Sequence, residues 1–225
     1  MELTPRLQGI ADQVPYGAAF ADIGTDHAYL PVWLLLNGRI QTAIAADLRE
    51  GPLARARETA AQYSVNDRIS FRLCDGLSAV SECEADTIAI AGMGGETIAA
   101  ILEAAPWTRC GKTLLLQPMT SFPDLRLWLQ RNGYLIESEQ IIREGNRLYS
   151  IWRVSGREMD ALTPGELWAG RQSSDPLRGE YLTMIRGKIE RSLRGHLAAQ
   201  HPDETAIAQL TEVLLDLKRM EGERL

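Results

Sequence analysis

The feature that most constrains this fold is an alternation of short apolar runs with helical patterns over the first two-thirds of the chain. Five runs have the length and residue content of strands: residues 18–23, 41–47, 69–74, 86–91 and 113–117. Helical periodicity is present over residues 27–37, 52–63, 95–105 and 124–132. Continuous apolar strands joined by helical crossovers predict a parallel sheet that is covered by helices on both faces. The fold class of this part is therefore predicted to be α/β.

After residue 133 the pattern changes to two β-rich runs on either side of Glu144-Gly145-Asn146. Two strands around a short turn that contains Gly and Asn are typical of an antiparallel hairpin. We expect this hairpin at the edge of the sheet, because each parallel strand before it is followed by a helix instead. The predicted α/β domain covers residues 1–155.

The remaining residues, 156–225, predict a second, all-helical domain. Pro164 suits the first turn of a short helix, and two longer helices are expected at about 176–199 and 203–221. Each has one apolar stripe: Leu177, Tyr181, Ile185, Ile189, Leu193 and Leu197 on the first, and Ile207, Leu210, Leu214 and Leu217 on the second. Such stripes favour a coiled-coil-like antiparallel pair, formed within one chain or between two chains.

The turn after the first strand, residues 22–27, lies where a doubly wound sheet binds its ligand. Dinucleotide enzymes bind pyrophosphate there through G-x-G-x-x-G. Here only Gly24 is a glycine, and the carboxylate of Asp26 would repel a phosphate. The turn therefore disfavours a nicotinamide dehydrogenase and favours a ligand without a phosphate at this point, with Asp22, Gly24 and His27 as candidate contacts.

Further candidate ligand contacts end the next strands. Asp47, with Leu48 after it, lies 23 residues beyond Gly24, where an acid accepts hydrogen bonds from ribose hydroxyls. Asp75, followed by Gly76, could accept from an adenine amino group. The segment Ala91-Gly92-Met93 offers mainly backbone groups beside the same crevice.

A ribose, an adenine, no phosphate and carboxylates near a positive centre describe S-adenosylmethionine. A strand-end Asp is often only a helix cap, so each residue alone also has a structural interpretation. Candidates at the carboxyl ends of four successive strands favour the ligand site.

These stretches resemble one known family, the bacterial tRNA (adenine-22-N1)-methyltransferases, TrmK. The resemblance rests on residues 22–31, 75–77, 90–95 and 116–118, and it covers roughly residues 5–155. It implies a class I methyltransferase sheet, S-adenosylmethionine as cofactor and a C-terminal helical domain that helps to hold tRNA. At Met119 the chain departs from the Gln-Pro-Asn that members of the family often carry.

Asp26 is the expected catalytic residue. Adenine N1 has an in-plane lone pair and can attack a methyl group without first losing a proton, so positioning does much of the work. The product is cationic, and a carboxylate near the N1/N6 edge would stabilise the developing charge. The alternative is that Asp26 caps the next helix. Gln117 and Pro118 are expected to line the base pocket, or else to form an ordinary strand-end turn.

The first long tail helix carries five basic residues against two acidic ones, in a chain of net charge −6. The basic residues are Arg178, Arg186, Lys188, Arg191 and Arg194. This segregation predicts phosphate contacts with a tRNA partner, although a solvated helix face is the ordinary alternative.

Composition excludes other classes of protein. No run reaches the ~18 apolar residues of a membrane helix, and no secretory signal is recognised at the N-terminus. Cys74, Cys83 and Cys110 form no CxxC pair, which predicts free thiols in the cytoplasm and no metal site. We expect a monomer. A small-molecule methyltransferase and a non-catalytic S-adenosylmethionine-binding protein remain the alternatives.

Overall fold

The computed structural model describes residues 1–171 and 174–222, so that residues 172, 173 and 223–225 of the predicted tail domain lie outside the described part. The strands are β1 Phe20–Ile23, β2 Ala43–Asp47, β3 Ile69–Leu73, β4 Thr87–Gly94, β5 Thr113–Thr120, β6 Leu135–Glu144 and β7 Arg147–Ser155. The α-helices are α1 Pro5–Gln13, α2 Tyr29–Leu36, α3 Glu50–Gln62, α4 Gly95–Glu103, α5 Phe122–Arg131, α6 Pro164–Ala169, α7 Arg178–Leu197 and α8 Glu204–Met220. None of these described helices combines the length and apolar character that crossing a bilayer requires.

All the strands form one sheet in the order β3-β2-β1-β4-β5-β7-β6. The first five pair in parallel, whereas β7 runs antiparallel to both β5 and β6. The predicted α/β sheet with an antiparallel hairpin is therefore confirmed. The order reverses between β1 and β4, and a crevice forms at such a switch point outside the carboxyl ends of the strands.

Helix α1 was not predicted from the sequence. Its first turn is defined by Thr4, whose hydroxyl accepts a hydrogen bond from the Leu7 N–H at 3.5 Å, and by Pro5. Ile10 and Val14 are buried, and the helix approaches the hairpin closely, since a Cβ on Gly9 would crowd Ile142 and Ile151. This packing brings the N-terminus to the sheet.

The two long tail helices are present as predicted and run antiparallel, because Arg186 in the first half of α7 pairs with Glu221 just after α8. Their stripe packs on more than the other helix: Ile141 of β6 and Ala169 of α6 belong to the same buried cluster. The stripe was expected to extend to Leu197, but that side chain is 58% exposed. The tail therefore packs on the sheet edge rather than standing apart.

A buried ion pair joins the sheet to the tail. Arg126 of α5 is fully buried and donates to Glu139 of β6 at 2.5 Å. The same guanidinium donates to the Leu167 and Trp168 carbonyls of α6 at 2.9 and 3.2 Å. It also lies 4.2 Å from the ring centroid of Trp152. One side chain thus connects α5, both hairpin strands and the first helix of the tail.

Candidate active site

The turn after β1 requires a glycine at position 24. Gly24 has φ +79°, and a Cβ there would clash with the methyl group of Met93. The Gly24 and Thr25 N–H groups both donate to the Ala46 carbonyl of β2, at 2.8 and 3.0 Å. Because these two donors are used within the protein, any ligand contact from the turn must come from its other groups.

Asp26 does not cap the following helix. That helix begins at Tyr29. Its N-cap residue, Ala28, has φ +53°, and no side chain of this residue caps the helix. The Ala28 N–H instead donates to the Thr25 hydroxyl at 3.1 Å. The capping alternative for Asp26 is therefore wrong, because the turn is stabilised by its neighbour.

Asp26 instead presents its carboxylate to solvent, with 62% of the side chain exposed. It forms an ion pair with Arg55 of α3, whose Nε donates to Oδ1 at 3.1 Å. This hydrogen bond lowers the pKa of Asp26, so the carboxylate is charged at neutral pH. His27 Nε2 lies 3.6 Å from Asp26 Oδ2, and the His27 ring stacks on Tyr29 with centroids 4.9 Å apart.

Two further carboxylates lie close enough to influence each other. Asp22, at 8% exposure, is buried on β1, and burial raises its pKa to about 6. A hydrogen bond with Thr25 opposes this shift, and the charge of Asp47 adds to it. Asp47 accepts from the Arg49 N–H at 2.8 Å, and its side chain is only 11% exposed, whereas the neighbouring Leu48 is exposed. A cation bound beside this pair would relieve the repulsion.

The ends of β3 and β4 add backbone turns to the crevice. Asp75 is exposed and precedes Gly76, which has φ +53°. The structure extends β4 from the predicted end at Ala91 to Gly94, with register shifts around Met93. Gly92 has φ +75° and pairs with no residue of β5, so the strand bulges at the place where a ligand was expected.

Gln117 is fully buried, and its amide is used within the protein. Its Oε1 accepts from the Gly92 N–H at 3.1 Å and from Arg6 Nη1 at 2.7 Å, and its Nε2 donates to the Pro118 carbonyl at 2.8 Å. Gln117 thus fixes the bulge of β4 against β5, and it is Pro118 that borders an open cleft.

Arg6, which contacts the β4 bulge through Gln117, was not predicted from the sequence. Besides contacting Gln117, the Arg6 guanidinium lies 5.5 Å from the ring centroid of Tyr149. The backbone N–H of Arg6 donates to the Glu144 carboxylate at 3.0 Å. The available signal was Thr4-Pro5, which starts a helix and places Arg6 in its first turn.

Two of the five basic tail residues have intramolecular roles. Arg178 donates to the Ala169 and Gly170 carbonyls at the end of α6, at 3.1 and 3.2 Å, and burial lowers its pKa. Arg186 pairs with Glu221 at 3.1 Å. The structure therefore favours a structural role for both, in contrast to the expected phosphate contact.

The other three basic residues, Lys188, Arg191 and Arg194, are exposed on α7. The Lys188 ammonium nitrogen lies 5.9 Å from the ring centroid of Trp168, within range of a cation–π contact, and the residue as a whole is exposed. These three residues are the part of the predicted basic face that a polyanion could reach.

Comparison with known proteins defines the class. A family model described as "Methyltransferase domain" matches residues 3–152, which agrees with the sheet order and with the ligand crevice at the ends of β1, β2 and β4. The chain is thus a methyltransferase of the doubly wound α/β type.

Individual relatives define the family. Bacillus subtilis tRNA (adenine(22)-N(1))-methyltransferase is 40% identical over 166 residues, 73% of this chain and 70% of that protein. The structure of Streptococcus pneumoniae Sp1610 in complex with S-adenosyl-L-methionine has a TM-score of 0.85 and 31% identity, covering 98% of this chain and 100% of that one. M. capricolum TrmK in complex with S-adenosyl-homocysteine has a TM-score of 0.82 and 26% identity, with all of both chains covered. The chain belongs to the tRNA (adenine(22)-N(1))-methyltransferase family, and the resemblance found in the sequence is confirmed.

Proposed function

We infer that this protein transfers a methyl group from S-adenosylmethionine to N1 of adenine 22 in tRNA. The observation that carries the inference is the 40% identity with the Bacillus subtilis enzyme over most of both chains. The crevice supports this inference independently, because its acidic side chains and the bulged strand β4 suit this cofactor better than a dinucleotide.

The residues present fit the cofactor on electrostatic grounds. Asp22 and Asp47 repel each other, and S-adenosylmethionine carries a sulfonium and an ammonium group that would relieve this repulsion. We propose that Asp22, Gly24 and His27 hold its amino acid end and that Asp47 and Leu48 hold the ribose. Adenine would be held by Asp75 and Gly76, and the β4 bulge, Ala91 to Met93, would border the cofactor.

When bound, S-adenosylmethionine supplies an electrophilic methyl group. The protein's task is to hold adenine N1 in line with that group and to stabilise the positive charge that develops on the base. Asp26 is suited to the second role because its exposed carboxylate remains charged, and because the hydrogen bond from Arg55 restricts its position. In this proposal Asp26 accepts a hydrogen bond from the N6 amino group.

The proposed division of labour follows the chain. Residues 1–155 carry the cofactor and the chemistry, and residues 156–225 help to hold tRNA through Lys188, Arg191 and Arg194. Recognition would depend on tRNA shape and on an unstacked target base. A tRNA substrate places the protein in the cytoplasm, and we propose that it acts as a monomer, since α7 already buries its stripe within one chain.

The test is methylation of an unmodified tRNA transcript, followed by nucleoside analysis and by repetition with guanine at tRNA position 22. We expect N1-methyladenosine only with the transcript that has adenine at position 22. Asp26→Ala should lower kcat about 100-fold, because a charge aimed at the transition state is lost, while cofactor binding is retained. Glu58→Ala, an exposed acid on α3, is the matched control. Cofactor binding without N1-methyladenosine in any tRNA would contradict the proposal and favour a small-molecule substrate or a non-catalytic binding protein.

A further inference from the structure

A cleft of about 360 Å³ opens between the end of β5, the β6–β7 turn and α7. Its apolar part is formed by Met119, Phe122 and Met184, and its basic part by Arg147, Lys188 and Arg191. The cleft thus combines a surface that can accept a flat ring with three cations that can accept a phosphate. Neither the cofactor crevice nor the proposed role of Asp26 accounts for it.

The charges in this cleft are segregated. Met184, Lys188 and Arg191 are spaced four and three residues apart and so share one face of α7, while Arg147 approaches from the hairpin. No Asp or Glu is among the described residues that line the cleft, although the chain as a whole has a net charge of −6. A polyanion is the complementary partner.

The cleft lies next to the β4 bulge, which is proposed to border the cofactor. Met119 is two residues beyond Gln117, whose amide fixes the β4 bulge. Tyr149 lines the cleft and also lies under the Arg6 guanidinium. A nucleic acid chain whose target base enters the crevice would therefore pass close to this opening.

We propose that the cleft binds one unstacked nucleotide that flanks the target adenine, with its base against Met119 and Met184 and its phosphate near Lys188, Arg191 and Arg147. The proposal rests on the proposed function. A base taken out of its stack leaves neighbours without a partner, and apolar or aromatic side chains commonly receive such bases. The volume lies near the lower end of small-ligand sites, roughly 300–1,000 Å³, which suits one nucleotide better than a helix.

The experiment uses tRNA transcripts in which 2-aminopurine replaces each nucleotide flanking the target in turn. With wild-type protein we expect enhanced fluorescence at one flanking position, because 2-aminopurine brightens when it unstacks. Met184→Glu should abolish this enhancement, because it introduces a carboxylate into the cleft. Lys188→Ala/Arg191→Ala should raise KM for tRNA roughly tenfold and reduce the slope of log KM against log salt by about 0.7, which is the contribution of the one phosphate that the cleft is proposed to hold.

The matched control is Arg131→Ala/Arg219→Ala, which removes the same charge from exposed positions outside the cleft. If wild-type protein forms no N1-methyladenosine in any tRNA, the proposed function itself fails. If it forms N1-methyladenosine but no flanking position brightens, or if the cleft variants behave like the control, the proposed function stands and the nucleotide cleft is overturned.

Discussion

Two ion pairs show how differently charge is used in two regions of this molecule, the edge of the sheet beside the tail and the turn after β1. Arg126 and Glu139 are 0% and 6% exposed, and they connect the sheet edge to the tail. Asp26 and Arg55 are 62% and 44% exposed, and they lie in the turn after β1 and on α3. The first guanidinium is surrounded by further partners, two carbonyls and an indole ring, whereas the second donates to the Asp26 carboxylate and, within the described part of the chain, has no other hydrogen-bond partner.

This difference separates structural charge from charge available for chemistry. A buried charge must keep all its partners, since losing one leaves the other uncompensated. An exposed pair contributes little to stability because water screens it, so its carboxylate can exchange one partner for another at small cost. The same contrast applies to the tail, where Arg178 is committed to two carbonyls and Arg191 is exposed.

The largest effect on stability is expected from breaking the buried pair. Arg126→Ala removes the buried cation that compensates the charge of Glu139, together with two hydrogen bonds to carbonyls of α6, so the free energy of unfolding should fall by about 3–5 kcal/mol. Urea denaturation measures it, with Arg131→Ala, exposed on the same helix, as control. Arg126→Met/Glu139→Leu should recover much of the loss. If Arg126→Ala were as stable as the control, the contrast between the two pairs would not hold.

Asp22 offers an intermediate case, a buried acid that pairs with no cation in the described part of the chain. Its pKa is raised from 3.8 to about 6, so between these pH values the folded state keeps a proton that the unfolded state loses. Stability therefore falls as pH rises through this window and stays lower above it. Asp22→Asn should be more stable than wild type by at most about 3 kcal/mol at pH 8, and by about half of that at pH 5.

Urea denaturation at the two pH values checks this, with Asp12→Asn, an exposed acid on α1, as control. The same variant should bind S-adenosylmethionine more weakly, because the charge that destabilises the fold is the one proposed to attract the cofactor. A stability difference independent of pH would show that Asp22 does not titrate in this range.

Much of the sheet could be predicted because most of the parallel strands are largely apolar runs separated by helical patterns, and because Gly24 marks the turn after the first of them. The groups that each charged side chain contacts were harder to predict. Nothing in the local sequence distinguishes Arg178, which contacts α6, from Arg191, which is exposed, because the difference depends on where the end of α6 packs. Arg6 was missed for the same reason: its partners Gln117 and Tyr149 are more than a hundred residues away in sequence.

The smallest effect on stability is expected at the exposed pair. Arg55→Ala removes the hydrogen bond that lowers the pKa of Asp26, and stability should change by no more than about 0.5 kcal/mol. The sign follows from the lowered pKa: any loss is complete above the usual pKa of the carboxyl and disappears as pH falls through the lowered pKa of the folded state. Methyl transfer should fall less than in Asp26→Ala, because the carboxylate remains but is less well positioned. Urea denaturation and tRNA methylation, compared with Glu58→Ala, measure both quantities. A loss of activity equal to that of Asp26→Ala would mean that the pair acts as one unit, and that exposure alone does not distinguish charge used for chemistry from charge used for structure.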